Sequence, residues 1–171
     1  MSMPPVLYRV EPIGSGFIAI MARPRASDWA EEEFAAFATA GVRRIVSLLE
    51  IHEEYVLGLE KEAEYCRGAN IAFDSFPIPE RGVPSSPHAL YQLSKDTFLR
   101  CAGGESTAIH CRAGIGRSSL VAGAVLLHCG FDVDKALAQI QKVRGLEVPD
   151  TPEQAYWLRE NTDILSTGRP T

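Results

Sequence analysis

The chemistry-bearing residues of this chain gather in one segment, His110-Cys111-Arg112-Ala113-Gly114-Ile115-Gly116-Arg117-Ser118-Ser119. Gly114 and Gly116 open backbone angles closed to other residues. The successive N–H groups of Arg112, Ala113, Gly114, Ile115, Gly116 and Arg117 can then point into one concavity. Such a cup at the start of a helix binds a phosphate dianion through amide donors and the helix dipole. Arg117 opens that helix and can fork two phosphate oxygens, which the point charge of a lysine cannot do. The same amides and guanidinium favour a thiolate at Cys111. A thiolate beneath a bound phosphate can attack phosphorus and form a covalent intermediate. Ser118 is placed to donate a hydrogen bond to that sulfur as the intermediate breaks down. A buried cysteine alone is more often a small hydrophobe, and a glycine-rich turn alone is weak evidence. Their joint occurrence at fixed offsets is what points to chemistry.

This segment needs a strand before it and a helix behind it. Short β-branched runs alternate with helical periodicities along the chain, an α/β signature. Strands are expected at Phe17–Met21, Arg44–Leu49, Ile71–Phe76 and Thr107–Cys111, with Leu7–Val10 as a further edge. Ser27, followed by Asp28, Glu31 and Glu32, predicts a helix start, and Gly41 its end. Ser86-Pro87 opens a second helix, with Leu90, Leu93, Thr97 and Phe98 on one face, that Gly103-Gly104 close. Ser118–Cys129 is apolar nearly all round and should be a buried central helix. Val133, Ala136, Leu137, Ile140 and Val143 keep helical spacing, and Thr151-Pro152-Glu153-Gln154 is a capping box that starts the last helix. The implied fold is a single α/β domain over the whole chain, with its core at about residues 8–165. A twisted mixed sheet of about four or five strands is flanked by helices. Pro4, Pro5 and the closing STGRPT are expected to be frayed ends.

Composition narrows the classes. At 171 residues, 46% hydrophobic and 23% charged, the chain suits one soluble globular domain. A net charge of −5 argues against a general nucleic-acid binder, while leaving room for a small cationic site. No apolar run reaches the roughly 18 residues of a membrane span, and MSMPPVLYRV lacks a secretion signal. Cys66, Cys101, Cys111 and Cys129 form no paired framework, which suggests reduced thiols and a cytoplasmic location.

The segment HCRAGIGRSS resembles the signature loop, His-Cys-x5-Arg-Ser/Thr, of the cysteine-dependent protein tyrosine phosphatase superfamily. From about Tyr8 to Leu165 the chain resembles the small dual-specificity branch, including its compact bacterial and archaeal members. GVRRIVSLLE is similar to the strand before that branch's variable loop. The resemblance implies a two-step mechanism needing no metal and no other cofactor. It gives Cys111 as nucleophile, Arg117 as transition-state binder and Ser118 as assistant to the leaving thiolate. His110 would support the thiolate from behind the loop. It also implies an acid on a separate mobile loop, usually an aspartate roughly thirty residues upstream. Here Phe76-Pro77-Ile78-Pro79-Glu80-Arg81-Gly82 puts Glu80 at that place, a departure that lengthens the side chain by one methylene. Asp74, within a strand pattern, is the alternative.

Other residues have plainer readings. Gln154 aligns with a water-positioning glutamine of relatives, yet its capping role accounts for it. Cys66, Cys101 and Cys129 read as core thiols, and His52, His88 and His128 as surface or core residues rather than a metal site. Glu50, Glu53, Glu54, Glu60, Glu62 and Glu64 read as a solvated helical face. A neutral Ile115 within the loop disfavours inositol lipids, and a short chain implies a shallow pocket. Phosphorylated proteins or peptides are the expected partners, phosphotyrosine foremost with phosphoserine and phosphothreonine admitted. A phospho-binding module without turnover is the rival reading. A monomer is expected, with no nucleic-acid or membrane partner.

The loop chemistry makes Cys111→Ser the first test. It should keep phosphate or vanadate binding and lose turnover, since an alcohol at neutral pH is a far poorer nucleophile than a thiolate. Hydrolysis by the purified serine variant, above contamination, would contradict a covalent route through Cys111.

Overall fold

The protein is described by a computed structural model over residues 5–169. Its sheet has five strands in the order β1 (Tyr8–Ile13), β2 (Gly16–Met21), β5 (Thr107–His110), β3 (Arg44–Ser47), β4 (Ala72–Ser75). β1 and β2 form an antiparallel hairpin, and every other pairing is parallel. β5 therefore lies between β2 and β3. The C-terminal ends of β2, β5, β3 and β4 share one edge, where open parallel sheets build their sites.

Two apolar layers cover the sheet. Residue alternation along the strands sorts them: Ile18, Ile20, Val46, Leu48 and Ile109 join one buried cluster, while Ala19, Met21, Ile45 and Ala108 join the other. The first layer holds α4 (Pro87–Ala102), α5 (Arg117–Leu127), α6 (Val133–Arg144), α7 (Pro152–Glu160) and α8 (Thr162–Thr167). The second is filled by α1 (Ala30–Thr39), which contributes Phe34 and Phe37, and by α3 (Glu62–Gly68), which contributes Cys66. The short α2 (Ile51–Leu57) follows β3 at the site edge. All eleven residues of α5 are buried, as its uniform apolarity predicts.

Several boundaries differ from the sequence reading. The β1 strand runs to Ile13 because Gly14-Ser15 turns it straight into β2. β3, β4 and β5 end earlier than their apolar runs, where the chain leaves the ladder to form the site. Ser27 caps a turn by accepting from the Trp29 N–H at 3.2 Å, and α1 itself starts at Ala30. The terminal helix is two helices meeting at Asn161. Ser166 and Thr167 belong to α8 and are not frayed; Pro4, Pro170 and Thr171 lie outside the described residues. Among the described residues no helix is long and apolar enough to cross a membrane.

At the far end of α5, burial pushes the His128 imidazole down to about 4, helped by the charge of Lys95. The folded ring therefore stays neutral where an unfolded chain takes up a proton, from about 6.5 downward. The stability this gives is complete above about pH 6.5 and drains away as pH falls towards 4. Thermal midpoints should decline across that window in wild type and flatten in His128→Asn; an equal slope in both would contradict the assignment.

Candidate active site

The loop between β5 and α5 closes a cleft of about 80 Å³ lined by Glu80, Arg81, Cys111, Arg112, Ala113, Ile115, Gly116, Arg117, Asp150 and Gln154. Its backbone explains its glycines. Gly114 has φ +71, and a Cβ there would meet the Met21 carbonyl carbon at 2.6 Å, so the loop packs backbone to backbone on the end of β2. A Cβ on Gly116 would meet Asp150 at 2.7 Å and Gln154 at 3.0 Å. Behind the loop, Arg144 of α6 donates from Nε to the Gly114 carbonyl at 3.0 Å and from Nη2 to that of Ala113 at 3.2 Å. These bonds hold the Ala113 and Gly114 carbonyls on the Arg144 side of the loop.

Cys111 is 3% exposed at the cleft floor, its Sγ 3.3 Å from Ser118 Oγ at the first turn of α5. Cys66 and Cys101 sit in the core, and Cys129 is half-buried against it. Burial pushes Cys66 up to about 12, with the charge of Glu62 adding. Burial likewise pushes Cys129 up to about 11 and raises Cys101.

Arg117 is 3% exposed, and its partners decide how it can act. Nη1 donates to Glu53 Oε1 at 2.7 Å and to the Ile78 carbonyl at 2.9 Å; Nη2 donates to Glu53 Oε2 at 2.9 Å. Three of the five guanidinium N–H groups are thus engaged. The two left over, Nε–H and the second Nη2–H, form the other fork of the group. Among the described residues that fork has no partner, and it suits a second oxyanion. Burial opposes the charge on Glu53, yet hydrogen bonds from Arg117 and the Glu50 backbone hold its carboxyl below the usual range. Burial equally opposes the charge on Arg117, which Glu53 holds on the guanidinium.

Glu53 corrects the sequence reading. It and Glu62 are each 2% exposed, not part of a solvated face. Glu53 also completes a capping box at the start of α2, accepting from the Glu50 N–H at 3.1 Å. The Glu50-Ile51-His52-Glu53 spacing directly after an apolar strand carried that signal. Glu62 lies 2.7 Å from His110 Nε2. Nothing in the local sequence marks Glu62, because only tertiary packing brings the start of α3 to the end of β5.

The segment from Pro77 to Pro84 forms the opposite wall. Glu80 is exposed there, with Oε2 3.8 Å from Arg112 Nη1. Arg81 pairs with Asp150 at 3.3 Å, and Gln154 donates to the Gly82 carbonyl at 3.0 Å while closing its capping box on Thr151. Gln154 thereby ties this wall to α7. Asp74 stands apart: it pairs with the buried Arg44 side chain across β3 and β4, not in the cleft. Arg81 and Asp150 were missed by the sequence reading. Among the described residues no group of three or more His, Cys, Asp or Glu side chains is placed to hold a metal ion.

The comparisons with known proteins agree with this geometry. A family model described as PTP-SAK, Swiss Army Knife protein, DSP-PTPase phosphatase domain, matches residues 8–163. Cyclin-dependent kinase inhibitor 3 of Rattus norvegicus is 26% identical over 125 residues, 72% of this chain and 52% of that protein; the Sus scrofa protein matches with the same identity and coverage. The chain thus spans about half the length of these curated relatives. Among solved structures, kinase associated phosphatase with its catalytic-site cysteine changed to serine superposes at TM-score 0.84 and 20% identity, covering 98% of this chain and 99% of that one. Tk-PTP in the active form gives TM-score 0.73 and 25% identity, covering 96% and 98%. PTPMT1 gives 0.76 and 19%, covering 95% and 98%.

Removing the Glu53 carboxylate leaves a buried guanidinium without its counter-charge. Glu53→Ala should cost about 3–5 kcal/mol of stability, the usual penalty for breaking a buried pair from one side. Glu53→Gln should cost less and weaken vanadate binding, because Arg117 is no longer held with one fork free. Chemical denaturation and vanadate titration check both; a Glu53→Gln protein with wild-type affinity would show that Arg117 does not depend on Glu53.

Proposed function

The chain belongs to the DSP-type phosphatase domain family of the protein tyrosine phosphatase superfamily, and from that premise we propose that it hydrolyses phosphate monoesters of proteins, phosphotyrosine foremost, through a cysteinyl-phosphate intermediate. The observation that supports the reading is that Cys111, Arg117 and Glu80 line one cleft. The phosphate dianion sits among the loop amides, bound by the free fork of Arg117. Cys111 Sγ attacks phosphorus in line as the P–O bond to the leaving group breaks. Glu80 gives that oxygen a proton. Glu80, now a carboxylate, takes a proton from water, which attacks the phosphocysteine and releases phosphate. Ser118 donates to the departing sulfur. An acid on an exposed wall can serve both steps, since it meets the leaving group and bulk water alike.

The protein substrate is supported by the likeness to cyclin-dependent kinase inhibitor 3 and to kinase associated phosphatase. A shallow pocket, as expected for so short a chain, would admit phosphoserine and phosphothreonine beside phosphotyrosine. Four free cysteines among the described residues support a reducing, cytoplasmic setting. A panel of phosphopeptides, phosphoinositides and nucleotides tests the substrate class; preference for a phosphoinositide over every phosphopeptide would overturn it.

Glu80 is tested by leaving-group dependence. Glu80→Gln should slow phenyl phosphate and phosphopeptides by about 10²–10⁴-fold and p-nitrophenyl phosphate, whose leaving group needs no proton, by much less. The basic limb of the pH–rate profile should flatten. Asp74→Asn serves as the control and should alter neither. Transfer of the leaving-group dependence to Asp74→Asn would reverse the two roles.

A further inference from the structure

A second buried pair stands behind the loop. His110 ends β5 and is 0% exposed; Glu62 opens α3 and is 2% exposed. His110 Nδ1 lies 3.2 Å from the Cys111 carbonyl oxygen, and Nε2 lies 2.7 Å from Glu62 Oε2. A carbonyl oxygen can only accept, so Nδ1 carries a hydrogen. The short contact at Nε2 also needs a hydrogen between its two heavy atoms. Placed on the ring, that hydrogen is donated to Glu62 Oε2. A ring that donates from both nitrogens is an imidazolium, and the Glu62 carboxylate is its counter-charge.

The other Glu62 oxygen, Oε1, is buried and has no hydrogen-bond partner among the described residues. A carboxylate kept solely for packing would be expected to satisfy both oxygens. Here one is left bare while the other is spent on His110, a cost that folding tolerates when the charge is needed. Two further ionisable groups feel this pair. Glu54 of α2 is pushed up by burial and by the charge of Glu62, and drawn down by His110. Cys66, one turn along α3, is held as a thiol by burial and by Glu62.

We propose that Glu62 is a positioning residue. It keeps His110 charged and doubly donating, so that a fixed positive charge presses against the Cys111 carbonyl on the side of the loop away from the cleft. The proposal rests on the reading of Cys111 as nucleophile and names what readies it. In Glu62→Gln the amide cannot reproduce this. With its NH₂ towards the ring, Nε2 must become an acceptor and the charge is lost. With its oxygen towards the ring, the imidazolium loses its counter-charge.

Two measurements on the full chain test it. In ¹⁵N-histidine-labelled wild type, with His110 assigned against a His110→Gln spectrum, both ring nitrogens should bear hydrogen at neutral pH. A ring with one bare nitrogen overturns the proposal, and this needs no Glu62 variant to fold. In Glu62→Gln, alkylation of Cys111 by iodoacetamide at neutral pH, below the melting transition, should slow by about tenfold, the scale of losing one charge-assisted hydrogen bond. A lowered melting temperature with wild-type alkylation would mean a merely structural role and overturn it. Alkylation reads thiol reactivity without turnover, so this result stays distinguishable from the Cys111→Ser assay, which alone tests the covalent reading.

Discussion

A guanidinium in a protein interior has to be compensated on all sides, and Arg117 imposes that requirement on three parts of the chain at once. Its carboxylate comes from α2, its carbonyl partner from Ile78, and its own backbone from the first turn of α5. Loss of the Glu53 carboxylate would leave a charge with about 3% exposure unpaired, which costs far more than a surface ion pair returns. The helix α2, the wall that bears Glu80 and the loop that bears Cys111 are therefore set relative to one another by a single side chain. The same bonds that fix Arg117 leave one defined fork unspent, so stability and anion binding draw on different edges of one planar group.

The second buried pair works from the other sheet face. Ile109 faces the α5 layer and His110 the α3 layer, because successive strand residues alternate. Ending β5 at His110 thus puts an imidazole under the loop and starts the loop at the next residue. Glu53 and Glu62 lie only nine positions apart, on two short helices that follow β3. One α2–α3 segment therefore supplies the counter-charge on both sides of Cys111, and the electrostatics of the loop depend on how that segment packs.

What was readable in the sequence follows from range. The loop, its glycines and the all-buried α5 were legible because their signals are local: fixed offsets, positive-φ demand and unbroken apolarity. Strand order within the parallel sheet needs contacts between residues such as Ala19 and Ala108, or Ile45 and Ala108, that no local pattern encodes. Glu53 and Glu62 were misread for the same reason. By composition the stretch from Glu50 to Glu64 is a charged helical face, and only tertiary packing selects two of its acids for burial. Asp74 shows the converse. Its register opposite Val46 on β4 takes it towards Arg44 and away from the cleft, a fact that follows from pairing and not from its distance to Cys111 along the chain.

The longer side chain at the proposed acid position has a structural answer in its own loop. Arg81 sits at φ +60, in the left-handed region that non-glycine residues occupy at a cost of order 1–3 kcal/mol. The Gly82 N–H closes the turn on the Pro79 carbonyl at 2.8 Å, and a Cβ on Gly82 would meet that same oxygen at 2.9 Å. A turn this tight keeps the backbone at Glu80 close to Ile78, whose carbonyl is already held by Arg117. The strain is met from outside: Arg81 reaches Asp150, and Gln154 takes the Gly82 carbonyl. An aspartate carboxyl reaches its target from a backbone closer in, whereas a glutamate needs its backbone set further back and its extra torsion restrained. In the proposed role, the positive φ beside it, clamped by residues from the α7 end of the fold, would serve that backbone placement while Glu80 itself stays exposed.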